Sequence, residues 1–179
     1  MIAILTIAVA GVGAFVVLAG VTWWATTQTK DRKAATTFLD LSYSATQLLI
    51  KDENVPESVI NFTEFFWTLA GRPKLARGIA HHAIVRAFTA ESPPLSDEGK
   101  ALERDLSKLT EPQAEAFAEM IAFGSLASAA ADPVFSTVFK NVLSIMLSRS
   151  GRKNDGPSVE RANTLAVDIA RSDRHLMPA

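Results

Sequence analysis

The chain has 179 residues, a formal net charge of −1 and no cysteine. Near-neutral charge excludes a global pull toward nucleic acid, and the missing cysteines exclude disulfides, thiolate catalysis and cysteine-based zinc sites together. Hydrophobic residues make up 48% of the chain and mean hydropathy is +0.16, values raised by a single segment at its start.

That segment carries no charged side chain from Ile2 to Thr29, and nearly every position from Ile2 to Ala25 is apolar. A hydrocarbon core about 30 Å thick is crossed by about 20 helical residues, so residues 1–29 are expected to form a transmembrane anchor. A cleavable signal peptide would open on basic residues, have a shorter apolar run and end on small residues. Here the first basic residue is Lys30 and the run closes on Val21-Thr22-Trp23-Trp24, so the anchor is expected to be retained. Trp23 and Trp24 suit the headgroup level, with the Lys30-Asp31-Arg32-Lys33 cluster following in water and its three cations, Lys30, Arg32 and Lys33, completing a membrane-interface group. Those three cations lie after the span and none lies before it. The positive-inside tendency then puts the N-terminus outside and the C-terminal domain in the cytoplasm.

One face of the span is small: Ala3, Thr6, Ala10, Gly13, Val17 and Gly20 recur at spacings of three and four. Small residues let helix backbones approach closely in lipid, which suits packing against a second copy or a membrane protein partner. Alanine and glycine are also simply common in such spans, and both readings stand.

After a basic juxtamembrane segment at 30–35, the pattern from 36 to 172 is helical, with a flexible tail expected at 173–179. A first helix from about Ala34 to Lys51 carries Phe38, Leu39, Leu41, Ala45, Leu48 and Leu49 and can continue from the anchor. Pro56 suits the start of a second, with Val59, Ile60, Phe62, Phe65, Phe66 and Leu69 inward and Gly71 past its end. A third runs from Pro73 to about Thr89, where Ser92-Pro93-Pro94 breaks it. Ser96 can cap a fourth helix to about Leu109, and Thr110 with Gln113 forms a capping-box pattern for a fifth, Glu111 to Ala131. Asp132 and Pro133 read as cap and first-turn proline of a sixth, whose stripe is Val134, Phe135, Val138, Phe139, Val142, Leu143 and Met146. Gly151 to Pro157 reads as a loop, and Ser158 can cap a last helix to about Ser172. The fold class expected is therefore all-α: one N-terminal transmembrane helix followed by a soluble bundle of about six or seven helices.

Met120 to Phe139 holds one charge, Asp132, which raises a second membrane element as a rival. Asp132 and Pro133 interrupt it and each half is too short to span, so a helix pair buried in the domain is expected instead. Ser125, Ala127, Ser128, Ala130 and Ala131 would allow close contact there.

Chemistry is sparsely marked. His81 and His82 are neighbours, which on a helix point about 100° apart and cannot chelate one metal as an i, i+4 pair does; His175 sits near the end of the chain. No His-Glu-x-x-His or Glu-x-x-His run, nucleophile elbow, phosphate loop or dinucleotide fingerprint occurs. No metal or cofactor is implied. Glu111, Glu115 and Glu119 share a helical face, for which a solvated surface is a sufficient account.

The third helix is the most informative soluble segment. No acid occurs between Glu64 and Glu91, while Arg72, Lys74, Arg77, His81, His82 and Arg86 do. On a helical wheel Lys74, Arg77 and His81 cluster, with His82 and Arg86 beside them, opposite Leu75, Ala76, Ile79, Ala80, Ala83, Ile84 and Ala87. The stretch Glu91 to Glu119 holds eight acids against Lys100, Arg104 and Lys108, so the two regions can neutralise each other. A free basic face would instead suit an anionic partner or lipid, holding the domain flat on an anionic leaflet; nucleic acid is disfavoured by the lack of aromatic interleaving.

Three functions follow as expectations. The first is a single-pass, membrane-anchored interaction protein, an accessory, assembly or scaffold component of a membrane complex. The second is an enzyme on a membrane-derived or anionic substrate, with His81 or His82 as acid–base group beside Arg77 and Arg86. The third is an anionic-lipid-binding module.

Overall fold

Proline, glycine and short polar side chains set the helix boundaries. A computed structural model describes residues 2–88, 94–132, 136–147 and 158–171, with the side chains of 2–17, 82–88, 137, 142 and 144–147 not described. Within these residues the chain is all-α, with seven helices and no strand: α1 (Ile2–Lys51), α2 (Glu57–Leu69), α3 (Pro73–Phe88), α4 (Asp97–Leu106), α5 (Glu111–Ala130), α6 (Ser136–Leu147) and α7 (Val159–Arg171). Pro56 precedes α2 and Gly71 follows it at φ +75°, a conformation that favours glycine; a side chain there would also meet Leu39 at 2.9 Å. Ser96 accepts the Gly99 amide to start α4, and the Gln113 side chain accepts the Thr110 amide to start α5.

No helix is long and apolar enough to cross a membrane when the described residues are searched. Most of the expected anchor, 2–17, has no described side chains, and that expectation lies largely outside the described residues, as do the loop at 151–157 and the tail at 173–179. The backbone does decide one point. No break separates an anchor from a first soluble helix, because α1 runs unbroken for 50 residues, roughly 75 Å at 1.5 Å per residue.

The C-terminal part of α1 packs chiefly on α5, which lies at the centre of the bundle and also contacts α3, α6 and α7. Close approach is possible because both surfaces are small: Ser42 and Ala45 on α1, and Gly124, Ser125, Ala127 and Ser128 on α5, are buried. Ser42 Oγ donates to the Met120 carbonyl at 3.0 Å, Phe38 stacks on Phe123, and Asp31 meets Ser136 just beyond α5. Falling numbers on α1 thus pair with rising numbers on α5, and the two helices are antiparallel. Phe66, Phe117, Leu49, Leu75, Met120 and Ile121 are fully buried and form the core.

Two expectations about faces need correction. Leu41 and Leu48 point to solvent at 43% and 64% exposure, as does Val138 of the α6 stripe at 57%. Successive α1 residues turn about 100°, and the face set by Ser42, Ala45 and Leu49 against α5 leaves 41 and 48 outside. Asp31 does not follow the anchor into water but is buried against α6. Asp132 is fully buried and ion-paired to Arg77; the helix start it was expected to cap, 133–135, lies outside the described residues.

Candidate functional site

The antiparallel pairing of α1 and α5 gives the bundle two distinguishable ends. One is the end from which the N-terminal half of α1 emerges, marked by Asp31, Ser136 and the last turn of α5. Helix α3 approaches this same end. Its preceding Gly71 donates to Ser128 Oγ at 2.9 Å, whereas Arg77 Nε reaches Asp132 Oδ2 at 2.6 Å, so α3 advances along α5 toward its C-terminus. His81, one turn past Arg77, lies further in that direction. Leu75, Ala76 and Ile79 bury the opposite side of α3, leaving Arg72, Lys74, Arg77 and His81 exposed.

Of the expected basic set, Lys74, Arg77 and His81 share one solvent-facing side of α3, and Arg72 is exposed just before the helix; the side chains of His82 and Arg86 lie outside the described residues. Lys30, Arg32 and Lys33 are exposed on α1 at the same end. Both acids that these contacts place there are buried and paired. Asp132 holds Arg77. Burial disfavours the ionised form of Asp31, yet hydrogen bonds from Lys140 and Ser136 and the Lys140 charge outweigh it and keep this carboxyl below its ordinary value.

The expected mutual neutralisation of α3 by the acids of Glu91–Glu119 does not occur among the described ion pairs. Asp97 is taken by Lys100 at 2.9 Å, and Asp105 by Lys108 at 2.7 Å and Arg104 at 3.4 Å, so these two acids find their cations within the acidic stretch itself. Glu111, Glu115 and Glu119 are all exposed along α5. They belong to the opposite end, where Gln113 donates to Asp52 at 2.7 Å beyond the close of α1.

On the emerging part of α1, Gly20 has nothing within 4 Å of where a side chain would begin, and Trp23 and Trp24 are 71% and 55% exposed. Ala3, Thr6, Ala10, Gly13 and Val17 lie outside the residues whose side chains are described.

Sequence reasoning missed a groove of about 640 Å³ between α2, α4 and α7, with Phe62, Phe65 and Leu102 on its floor and Glu57, Glu98 and Asp105 among its polar lining. Lys108 and Ser58, which donates at 2.8 Å, hold the Asp105 carboxyl down to about 2 against the opposing effect of burial, with help from Arg104. No histidine or basic side chain is among its described lining residues, and His81 lies instead on the exposed face of α3. The one sequence signal for the groove was the excess of aromatic residues on α2, which periodicity assigns wholly to the core.

Compared with known proteins, the chain matches no family model, no curated protein and no solved structure. Its function has to be read from its own residues.

Proposed function

We propose that this chain is a membrane-anchored helical interaction protein, an accessory, assembly or scaffold component of a membrane complex. The observation that carries this reading is the unbroken α1, which leaves the bundle beyond Asp31 and extends about 44 Å further to Ile2. That is more than the roughly 30 Å of a hydrocarbon core. Its emerging part presents Leu18, Val21, Trp23 and Trp24 to the surroundings, side chains that favour a lipid and headgroup environment, and the charged residues begin only at Lys30. The uncharged stretch Ile2–Thr29 supports the same reading, and the Lys30, Arg32, Lys33 flank supports an outside N-terminus and a cytoplasmic bundle.

An interaction role is supported by the apolar side chains left exposed on the bundle part of α1: Leu41, Leu48 and Ile50. With the small face of the span, they offer contacts to a partner helix both inside and outside the bilayer. Two measurements test the proposal. Membranes washed with alkaline carbonate should retain the full chain, and release into the wash overturns the anchor. Gentle detergent isolation through a C-terminal tag should bring down a membrane protein or a second copy, and a lone monomer overturns the interaction role. Protease protection in inverted against right-side-out vesicles reads the orientation.

A further inference from the structure

We infer that the α1-exit end of the bundle, formed by Lys30, Arg32 and Lys33 of α1 together with Lys74 and His81 of α3 beside the Arg77–Asp132 pair, is a surface that faces anionic lipid headgroups. It sets the bundle end-on to the bilayer rather than flat. The inference rests on the anchor reading for its place at a membrane, but the surface itself is assembled by the fold.

Two segments more than forty residues apart in sequence supply its cations. They share one end because α1 and α5 are antiparallel and α3 advances along α5 from Ser128 to Asp132. At this end the two acids these contacts place, Asp31 and Asp132, are buried and satisfied by Lys140 and Arg77. Among the described residues, the charge these contacts leave toward solvent is positive. The opposite end carries exposed Glu53, Glu57, Glu111 and Glu115 around the close of α1 and the starts of α2 and α5. Charge is therefore polarised along α1 in a chain whose net charge is only −1.

An anionic leaflet attracts the basic end and repels the acidic one, and both forces turn the bundle the same way. Each cation near such a surface strengthens association about fivefold. An acidic protein would also attract cations, but the trio on α1 begins about two helical turns after Trp23 and Trp24, a continuity that favours headgroups.

Because the chain has no cysteine, single-cysteine probes on the full protein read the geometry directly. A fluorophore at Gly78→Cys, beside Arg77 on α3, and another at Ser107→Cys, at the far end, are placed in nanodiscs containing a doxyl-labelled quenching lipid. In phosphatidylcholine with phosphatidylglycerol at about 2:1, the probe at 78 should be quenched and that at 107 should not. Quenching should disappear in phosphatidylcholine alone and in about 0.5 M NaCl, where the Debye length falls to about 4 Å. Lys74→Glu, a two-charge change, should lower the docked-to-free ratio about 25-fold with the far-ultraviolet spectrum unchanged.

Equal quenching at 78 and 107 means a flat bundle and overturns the end-on placement. Quenching that ignores lipid charge or salt, or none at 78, overturns the lipid surface, whether or not an acidic protein or RNA is retained there. If carbonate strips the protein from vesicles, the anchor fails separately. The probe at 78 then compares binding to phosphatidylglycerol and phosphatidylcholine vesicles, and indifference between them overturns this inference.

Discussion

Arg77 and Asp132 join α3 to the end of α5 through a 2.6 Å contact in which the carboxylate is fully buried while the arginine side chain keeps 55% of its exposure. The pair is asymmetric, and loss of the arginine leaves a charged group that water cannot reach. Arg77→Met is expected to destabilise the fold by about 3 kcal/mol, near the low end for a broken buried pair because Arg77 is itself half in solvent. Asp132→Asn, which removes the charge and keeps an acceptor, should be milder. Urea unfolding of the two variants checks the order, and equal losses would contradict it.

Gly124 is where α5 admits both α1 and α2. A methyl group there would lie 2.5 Å from Phe66 Cε1 and 3.2 Å from Ser42 Oγ. Alanine favours a helix by about 1 kcal/mol over glycine, but Phe66 is fully buried and has no room to yield. Overpacking of this kind costs about 1–3 kcal/mol, so Gly124→Ala should be net destabilising. Phe66→Leu should recover part of the loss in a double-mutant cycle.

Asp31 and Lys140 fasten α1 to α6 where α1 leaves the bundle. Lys140→Met strands a buried carboxylate with only Ser136, whereas Asp31→Asn leaves a lysine whose side chain still reaches solvent. The expected losses are about 2 and about 1 kcal/mol respectively. Amide hydrogen exchange over residues 28–38 should speed up more in the first variant than in the second.

Asp105 titrates from about 2 in the fold against an ordinary value of 3.8. A depressed carboxyl stabilises the native state above the unfolded value, and that contribution is lost as pH falls from about 4 to about 2. Lys108 is the largest cause, so Lys108→Met should move the Asp105 carboxyl resonance to a higher titration midpoint. It should also flatten the loss of stability between those pH values. An unmoved midpoint would assign the shift elsewhere.

Helix boundaries were legible because local chemistry writes them: Pro56, Gly71, Ser96, Thr110 and Ser158 all stand where the structure begins or ends a helix. Core faces were legible where one side of a helix meets the bundle, as in Val59, Phe62, Phe66 and Leu69 of α2. Leu41 and Leu48 were not, because hydrophobicity alone does not say which of two apolar stripes on α1 finds α5. The basic set on α3 was visible as composition, but its place beside Lys30, Arg32 and Lys33 depends on tertiary pairing that no local pattern contains. The burial and pairing of Asp31 and Asp132 were hidden for the same reason, since their partners lie 109 and 55 positions away. The α2–α4–α7 groove exists only once three separate helices meet.

An unbroken α1 has a mechanical consequence. From Ile2 to Lys51 the helix is continuous and free of proline, which couples its outer half to the half seated on α5. A tilt or rotation of the outer half is therefore passed to the bundle as torque on α5. The α1–α5 seam, with its buried small residues, is where that load falls.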